Sequence, residues 1–516
     1  MDDIDEEIFE DAQDWISLDA SLEAGREAVD KFLNNQFNEA REIVEPLSDR
    51  SIYHASVYGV IRLFEAMMTF EQKDLEKAST VLSQSCDTIN RFRKKTTFKD
   101  KLGRILWNPD YNDYTDMEVH AELCFAEVLL MKALATVLED ETLASFVKAG
   151  LKVRAGYQSF KECCSILQDR KWDNDQHRKD FEGGVRLGIG TCHLVFSKLP
   201  AKITKLLEFI GFSGNRVTGI QELQTVCEDK DGFRQFLACL VLLGHCIWVS
   251  SFIDEEQCSV ELWEEILQEK LAKHPNGAAF LFLKGRFHFV QGEMKTAIYW
   301  YKESCKFLEK YPLLCHTYYW ELNWAHQYSL DWMGAYHYAN LLFEESKWSK
   351  CFYGYLKAAM LCMVQDDLTE KQKEEQLDLM TNMAKWKKRI AGRSLTVEKF
   401  AIHKAERFIN QGHFLVLPSL ELIYLWNGLR ILGQSYSTIE PFYNLVEKAE
   451  KKANSEKNIR NFFLDDISLI NLLKGMCLKF MNCPEQAEEC FKFVIHKQGQ
   501  LVKDTYLVPY AQCLSN

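Results

Sequence analysis

The sequence predicts an all-α protein, an array of helical hairpins forming an α-solenoid with a non-repeat helical insertion. Three observations carry that prediction: chain length, sparse punctuation and a recurring pair of small residues. At 516 residues the chain exceeds the size at which one hydrophobic core stops growing, so it is several domains or one elongated array. Only 9 prolines and 25 glycines interrupt it, while 47% of its residues are hydrophobic, which leaves long helical stretches and few strand-bounding turns.

The small residues stand twelve apart, one on each helix of a hairpin where the backbones cross closely, and a larger apolar residue follows four positions after the second. Ala28 and Ala40 precede Val44, Ala66 and Ala78 precede Leu82, Gly285 and Ala297 precede Tyr301, and Gly475 and Ala487 precede Phe491; Asn323 with Ala335 is a looser copy. This is the tetratricopeptide pattern. Neighbouring copies recur after 38 residues, from Ala40 to Ala78 and from Ala297 to Ala335, against roughly 34 in the standard repeat. Turn residues sit between the paired helices at Asn34-Asn35-Gln36, Gln72-Lys73-Asp74, Gln291-Gly292-Glu293 and Asn482-Cys483-Pro484.

Between the repeats, residues 91–116 read as a long loop with limited helix, 117–170 as two helices, and 171–180, 390–398 and 410–413 as linkers or turns. This divides the chain into an N-terminal helical-repeat region (1–170), a family-specific helical region (171–260) and a C-terminal tetratricopeptide-repeat region (261–516). After Gly475 and Ala487 a further helix is expected from Asp504, with Tyr506, Leu507, Tyr510 and Leu514 on its apolar face and a frayed or splice-altered ending whose amides exchange rapidly beyond residue 510.

A net charge of −13 disfavours a phosphate-backbone partner, so no nucleic acid is expected. The basic clusters Arg91, Arg93, Lys94, Lys95, Lys99, Lys101 and Lys385, Lys387, Lys388, Arg389, Arg393 read as solvated helix ends or loops. Eight acids within the first fourteen residues are the opposite of a signal peptide. The 17 cysteines fall at apolar helical positions such as Cys124, Cys239 and Cys477, where a thiol is a small hydrophobe, which fits a reducing compartment. The uncharged run Phe236–Ile253 is short for a membrane span, contains Gly244, His245, Ser250 and Ser251, and reads as a buried solenoid helix.

Chemistry-bearing motifs are weak. Gly183, Gly184, Gly188 and Gly190 lack the Lys-Ser/Thr and strand context of a phosphate loop, and small residues four apart let helices pack closely. There is no Cys-x-x-Cys or His-Glu-x-x-His; Cys163 and Cys164 point to different helix faces. No Gly-x-Ser-x-Gly elbow accompanies the scattered His193, His245 and His403. No enzyme, metal site or cofactor is expected. On the first helices of the repeats, Phe282, Arg286, Trp320, Trp324 and Tyr328 form an aromatic strip suited to anchoring a peptide in a concave groove; core packing is the competing reading. The same positions lack the Lys and Asn clamp that grips the acidic tails of chaperones, so no such binding is expected.

The stretch Gly183–Leu223 closely resembles the hallmark of the tetratricopeptide-repeat domain 39 family, which includes the fungal inclusion-body clearance proteins. The matching pieces are Gly184-Val185, Gly188-x-Gly190, Leu199-Pro200 and Gly211-Phe212-Ser213-Gly214-x-Arg216, with Leu417-Pro418, Glu421-Leu422-x-Tyr424-x-Trp426-Asn427-Gly428 and Tyr506-Leu507-Val508-Pro509 further on. Within the hallmark, Pro200 starts and Gly211 ends an expected helix. The resemblance implies a helical-repeat protein of the cytoplasm or nucleus without catalytic residues. It also implies a setting in lipid and sterol metabolism, lipid droplets, protein turnover or cilia, with lipid-droplet or ubiquitin-pathway proteins among the partners. Two functions follow: an adaptor gripping other proteins in its concave groove, or a lipid- or sterol-associated protein enclosing an apolar ligand.

Overall fold

The computed structural model describes residues 15–69, 71–94, 110–139, 142–198, 214–249, 260–388, 395–458 and 460–515, which are helical with no strand among them. The chain forms two compact units, residues 1–250 with 256–278 and residues 251–255 with 279–516. The acidic start, residues 95–109 of the expected 91–116 loop, the Pro200 helix and Arg389 and Arg393 lie outside the described residues.

In the first unit the hairpins are α1 (Leu18–Leu33) with α2 (Phe37–Val44), α3 (Ile52–Thr69) with α4 (Gln72–Phe92), and α5 (Asp116–Glu139) with α6 (Leu143–Asp169). They are followed by α7 (Asp175–Ser197), α8 (Arg216–Glu228), α9 (Gln235–Gly244) and α10 (Val260–Lys273). Ala28, Ala40, Val44, Ala66, Ala78 and Leu82 have no exposed surface, as expected of the crossing points. Asn35 takes a positive φ of 65° in the first turn, a conformation asparagine tolerates. Three boundaries differ from the sequence reading. Gln72-Lys73-Asp74 is the first turn of α4, residues 175–180 open α7, and residues 396–398 open a helix of the second unit. Asn174 explains the second case: its side chain caps α7 by accepting from the backbone N–H of Gln176 and His177.

The glycines of α7 serve packing. A Cβ on Gly188 would lie 2.0 Å from the Phe160 ring of α6, so the two helices meet there through a bare backbone. As far as Val249 the apolar run lies in the ten-residue α9 and a π turn at His245–Val249, and Ala238, Cys239, Leu242 and Leu243 are buried; its residues 250–253 lie outside the described residues. No helix among the described residues is long and apolar enough to cross a membrane. Among the described residues fifteen cysteines are free, ten of them buried in helical packing, but Cys246 is disulfide-bonded, which departs from the expected set of thiols.

At the centre of this unit the polar groups are paired. Nε2 of His120 lies 3.1 Å from the His177 carbonyl, which can only accept, so this nitrogen carries the proton and Nδ1 accepts from the Tyr53 hydroxyl at 2.6 Å. Arg234 meets Glu127 at 2.5 Å and donates to the Asp180 carbonyl at 3.0 Å. Burial, then the charges of Arg234 and His177, lowers His120 to about 3. Because the unfolded imidazole binds a proton that the folded one refuses, this residue withdraws stability as pH falls from about 6.5 towards 3. Denaturant midpoints measured at pH 7 and pH 4 should therefore fall on acidification, and the fall should be smaller in His120→Gln.

The second unit opens with α11 (Ala278–Val290) and α12 (Met294–Lys306), α13 (Cys315–Tyr328) and α14 (Trp332–Glu345), and α15 (Lys350–Met363) and α16 (Glu370–Asn382). Then come α17 (Thr396–Asn410), α18 (Pro418–Leu425), α19 (Leu429–Leu432), α20 (Tyr436–Ser455), the pair α21 (Phe463–Phe480) and α22 (Pro484–His496), and α23 (Leu507–Ser515). Here too the small-residue pairs mark the crossings. A Cβ on Gly285 would sit 2.6 Å from Tyr301, and one on Gly475 would sit 2.5 Å from Phe491. The looser pair is a hydrogen bond, with Asn323 Nδ2 donating to the Ala335 carbonyl at 2.7 Å. Beyond residue 510 the chain stays helical to Ser515 with Ala511 fully buried.

Candidate protein-interaction site

The aromatic strip expected from the sequence begins on α11. Phe282 is buried against Tyr301 and Tyr318, with ring centroids 5.5 and 4.8 Å away. Arg286, one turn on, is buried as well. Its Nη1 donates to Glu321 Oε2 at 2.7 Å and its guanidinium lies 4.7 Å from the Phe289 ring centre. A cation so neutralised offers nothing to an incoming carboxylate.

On α13 the spacing of four puts Trp320, Trp324 and Tyr328 on one face, and the chain itself covers most of that face. Ser419, at the start of α18, donates to Gln327 Oε1 at 2.7 Å, and Gln327 Nε2 donates to Asn323 Oδ1 at 2.7 Å. Asn427, at a positive φ of 56°, turns the chain after α18 so that Gly428 lies on Tyr328. A Cβ on Gly428 would fall 1.6 Å from the Tyr328 hydroxyl, so only glycine fits. Trp426 packs on Trp324 with centroids 5.5 Å apart. As a result Trp324 and Tyr328 are only 4% and 7% exposed.

Trp320 differs from the other four. It is half-buried at the edge of a cluster with Trp348, Phe352, Tyr353 and Trp426, at centroid distances of 6.4, 6.1, 6.2 and 6.4 Å. Trp348 and Trp426 are half-buried too, whereas Phe352 and Tyr353 are buried beneath them. The structure therefore brings three partly accessible indoles together from α13, the turn two residues before α15 and the end of α18. Trp348 and Trp426 were absent from the expected strip, because no local spacing links them to Trp320. Among the described residues no group of three or more His, Cys, Asp or Glu could hold a metal ion.

The Iml2/Tetratricopeptide repeat protein 39 family model matches residues 26–481. The chain belongs to this family. Among its relatives is the Tetratricopeptide repeat protein ttc-39B of Caenorhabditis elegans, 33% identical over 511 residues, covering 97% of this chain and 87% of the relative. Solved structures that match include the yeast Tom70 (10% identity, 96% of this chain and 95% of that one, TM-score 0.32) and the APC/C hetero-tetramer Cut9-Hcn1 (11%, 96% and 96%, 0.25). In this tetratricopeptide-repeat-39 chain the resembling motif Glu421–Gly428 is thus the piece that lies over α13. The other, Tyr506–Pro509, joins it from the entry to α23, since the hydroxyl of Tyr506, the residue before that helix, donates to Glu421.

Proposed function

We propose that this family member is a non-catalytic interaction scaffold that contacts other proteins through the Trp320, Trp348 and Trp426 cluster of its second unit. The observation supporting this reading is the split of the aromatic strip, in which Phe282, Arg286, Trp324 and Tyr328 are sealed while three large indoles remain half-exposed side by side. Tryptophan in a part-desolvated setting is the residue type that dominates interface energies. The setting implied by the family, lipid and sterol metabolism or protein turnover in the cytoplasm or nucleus, says where partners are to be sought. Enclosure of an apolar ligand is less well supported. The clefts around Trp15 and Phe125, about 640 and 380 Å³, are lined by Arg93, Lys94 and Glu118, groups that suit a hydrated opening.

Proximity labelling in cells separates the two readings. The full chain should label a defined protein set that Trp320→Ala with Trp348→Ala depletes by at least tenfold, as loss of a hot spot does. An unchanged set in that variant, or a lipid that co-purifies stoichiometrically, would go against the scaffold.

A further inference from the structure

The first unit carries an apolar and basic surface that the scaffold reading does not use. On α6, Val147 and Leu151 are 59% and 62% exposed and stand one turn apart, with Phe146 beside them at 51%. Exposed side chains this large, set contiguously on one helix, mark a contact surface. Arg154 and Lys161 continue the same stripe and Lys148 borders it, all three exposed. From 143 to 161 the chain has Lys148, Lys152, Arg154 and Lys161 and no acid, in a protein whose net charge is −13. Lys152 donates to Thr136 Oγ1 of α5 at 2.9 Å. Burial, and then the charges of Lys132 and Lys148, holds its amine below the ordinary lysine value, so three ammonium groups crowd this end of the hairpin. Of the acids between the two helices, Glu139 is half-exposed, and Asp140 and Glu141 lie outside the described residues.

We infer that the outer face of the α5–α6 hairpin docks on an anionic lipid surface, with Phe146, Val147 and Leu151 inserted among the acyl chains and Lys148, Arg154 and Lys161 at the headgroups. A helix with apolar residues on its outer line and cations along its flanks lies in the plane of such an interface. Charge decides between occupants, since the cations answer anionic headgroups, while the apolar line needs a surface that receives side chains without a shaped pocket. The contact is peripheral, as none of the described helices can span a bilayer.

The test is flotation of the full chain with phosphatidylcholine vesicles, with and without about a third phosphatidylserine. Binding is expected only with phosphatidylserine and should be lost at high salt. Lys148→Glu with Arg154→Glu should weaken it at least tenfold, each charge near the surface contributing roughly fivefold, and Leu151→Asp should abolish it. Because both sets of changes fall on exposed side chains, thermal unfolding should be unaltered. Leu151→Trp provides a check independent of any loss: brominated lipid should quench its fluorescence, and should not quench Val195→Trp, exposed on α7 of the same unit. Absence of flotation, or flotation indifferent to Leu151→Asp, would overturn the inference. So would the finding that these variants lose protein neighbours instead of vesicle binding, which would assign the face to a protein.

Discussion

Asp504→Ala is expected to destabilise the second unit by about 3–5 kcal/mol, the cost of leaving buried cations without their partner. Asp504 has no exposed surface; Lys404 Nζ reaches its Oδ2 at 2.8 Å, and Arg407 meets the same oxygen. Lys404 and Arg407, each 1% exposed, belong to α17. Lys404 also meets Glu421 of α18 at 2.5 Å, Arg407 meets Asp466 of α21, and Arg460 closes on Asp466 at 2.7 Å. Asp465 beside it accepts the backbone N–H of Val502, Lys503 and Asp504 at 3.2, 2.7 and 2.7 Å. One network thus ties three helices and the segment before α23. Burial opposes ionisation of Asp504, but Lys404, His403 and Arg407 hold its carboxyl well below the usual range, so it remains charged. Alanine removes the anion that Lys404 and Arg407 share, so Lys404 keeps only Glu421 and Arg407 must share Asp466 with Arg460 in a closed interior. Denaturant unfolding followed by amide exchange of α17 and α21 reads the second unit alone. A loss under about 1 kcal/mol would mean that the network relaxes to water.

Trp324→Ala is the second large effect, again about 3–5 kcal/mol, because truncating a buried aromatic leaves a cavity that its neighbours cannot fill. Trp324 touches Trp320, Tyr328 and Trp426, with centroids 5.6, 6.4 and 5.5 Å away, so α13 and the end of α18 lose packing at once. Trp320→Ala, at the half-exposed edge, should cost clearly less. Thermal denaturation of both variants gives the order. If Trp324→Ala leaves the melting temperature unchanged and abolishes partner binding, the strip is an open contact and the packing argument fails.

Much of the architecture was legible because it is local. The Ala28/Ala40 or Gly475/Ala487 spacing needs only a helix, a turn and a second helix, and the backbone crossing admits nothing large. Boundaries were misread where polar text stood for a linker. Asp175–Asp180 looks like solvent-exposed chain, yet Asn174 caps it as helix and Asp180 is buried against Arg26. The candidate site was legible only in part. Spacing put Trp320, Trp324 and Tyr328 on one face, but whether that face is open depends on Ser419, Trp426 and Gly428, about a hundred residues away. For the same reason the Lys404–Asp504 network left no local pattern, its members being scattered over α17, α18, α21 and the segment before α23.

The central claim is that the Glu421–Gly428 segment fills the inner face of α13 and leaves the three-tryptophan cluster as the contact surface. Hydrogen exchange of the full chain with and without a purified partner from the labelling set tests it most directly. Amides around 316–322, 346–353 and 424–428 should gain protection on binding, while those of 323–328, already covered, should be slow in both states. Rapid exchange at 323–328 in the free chain, with protection there on binding, would show the face to be an open groove and contradict the account.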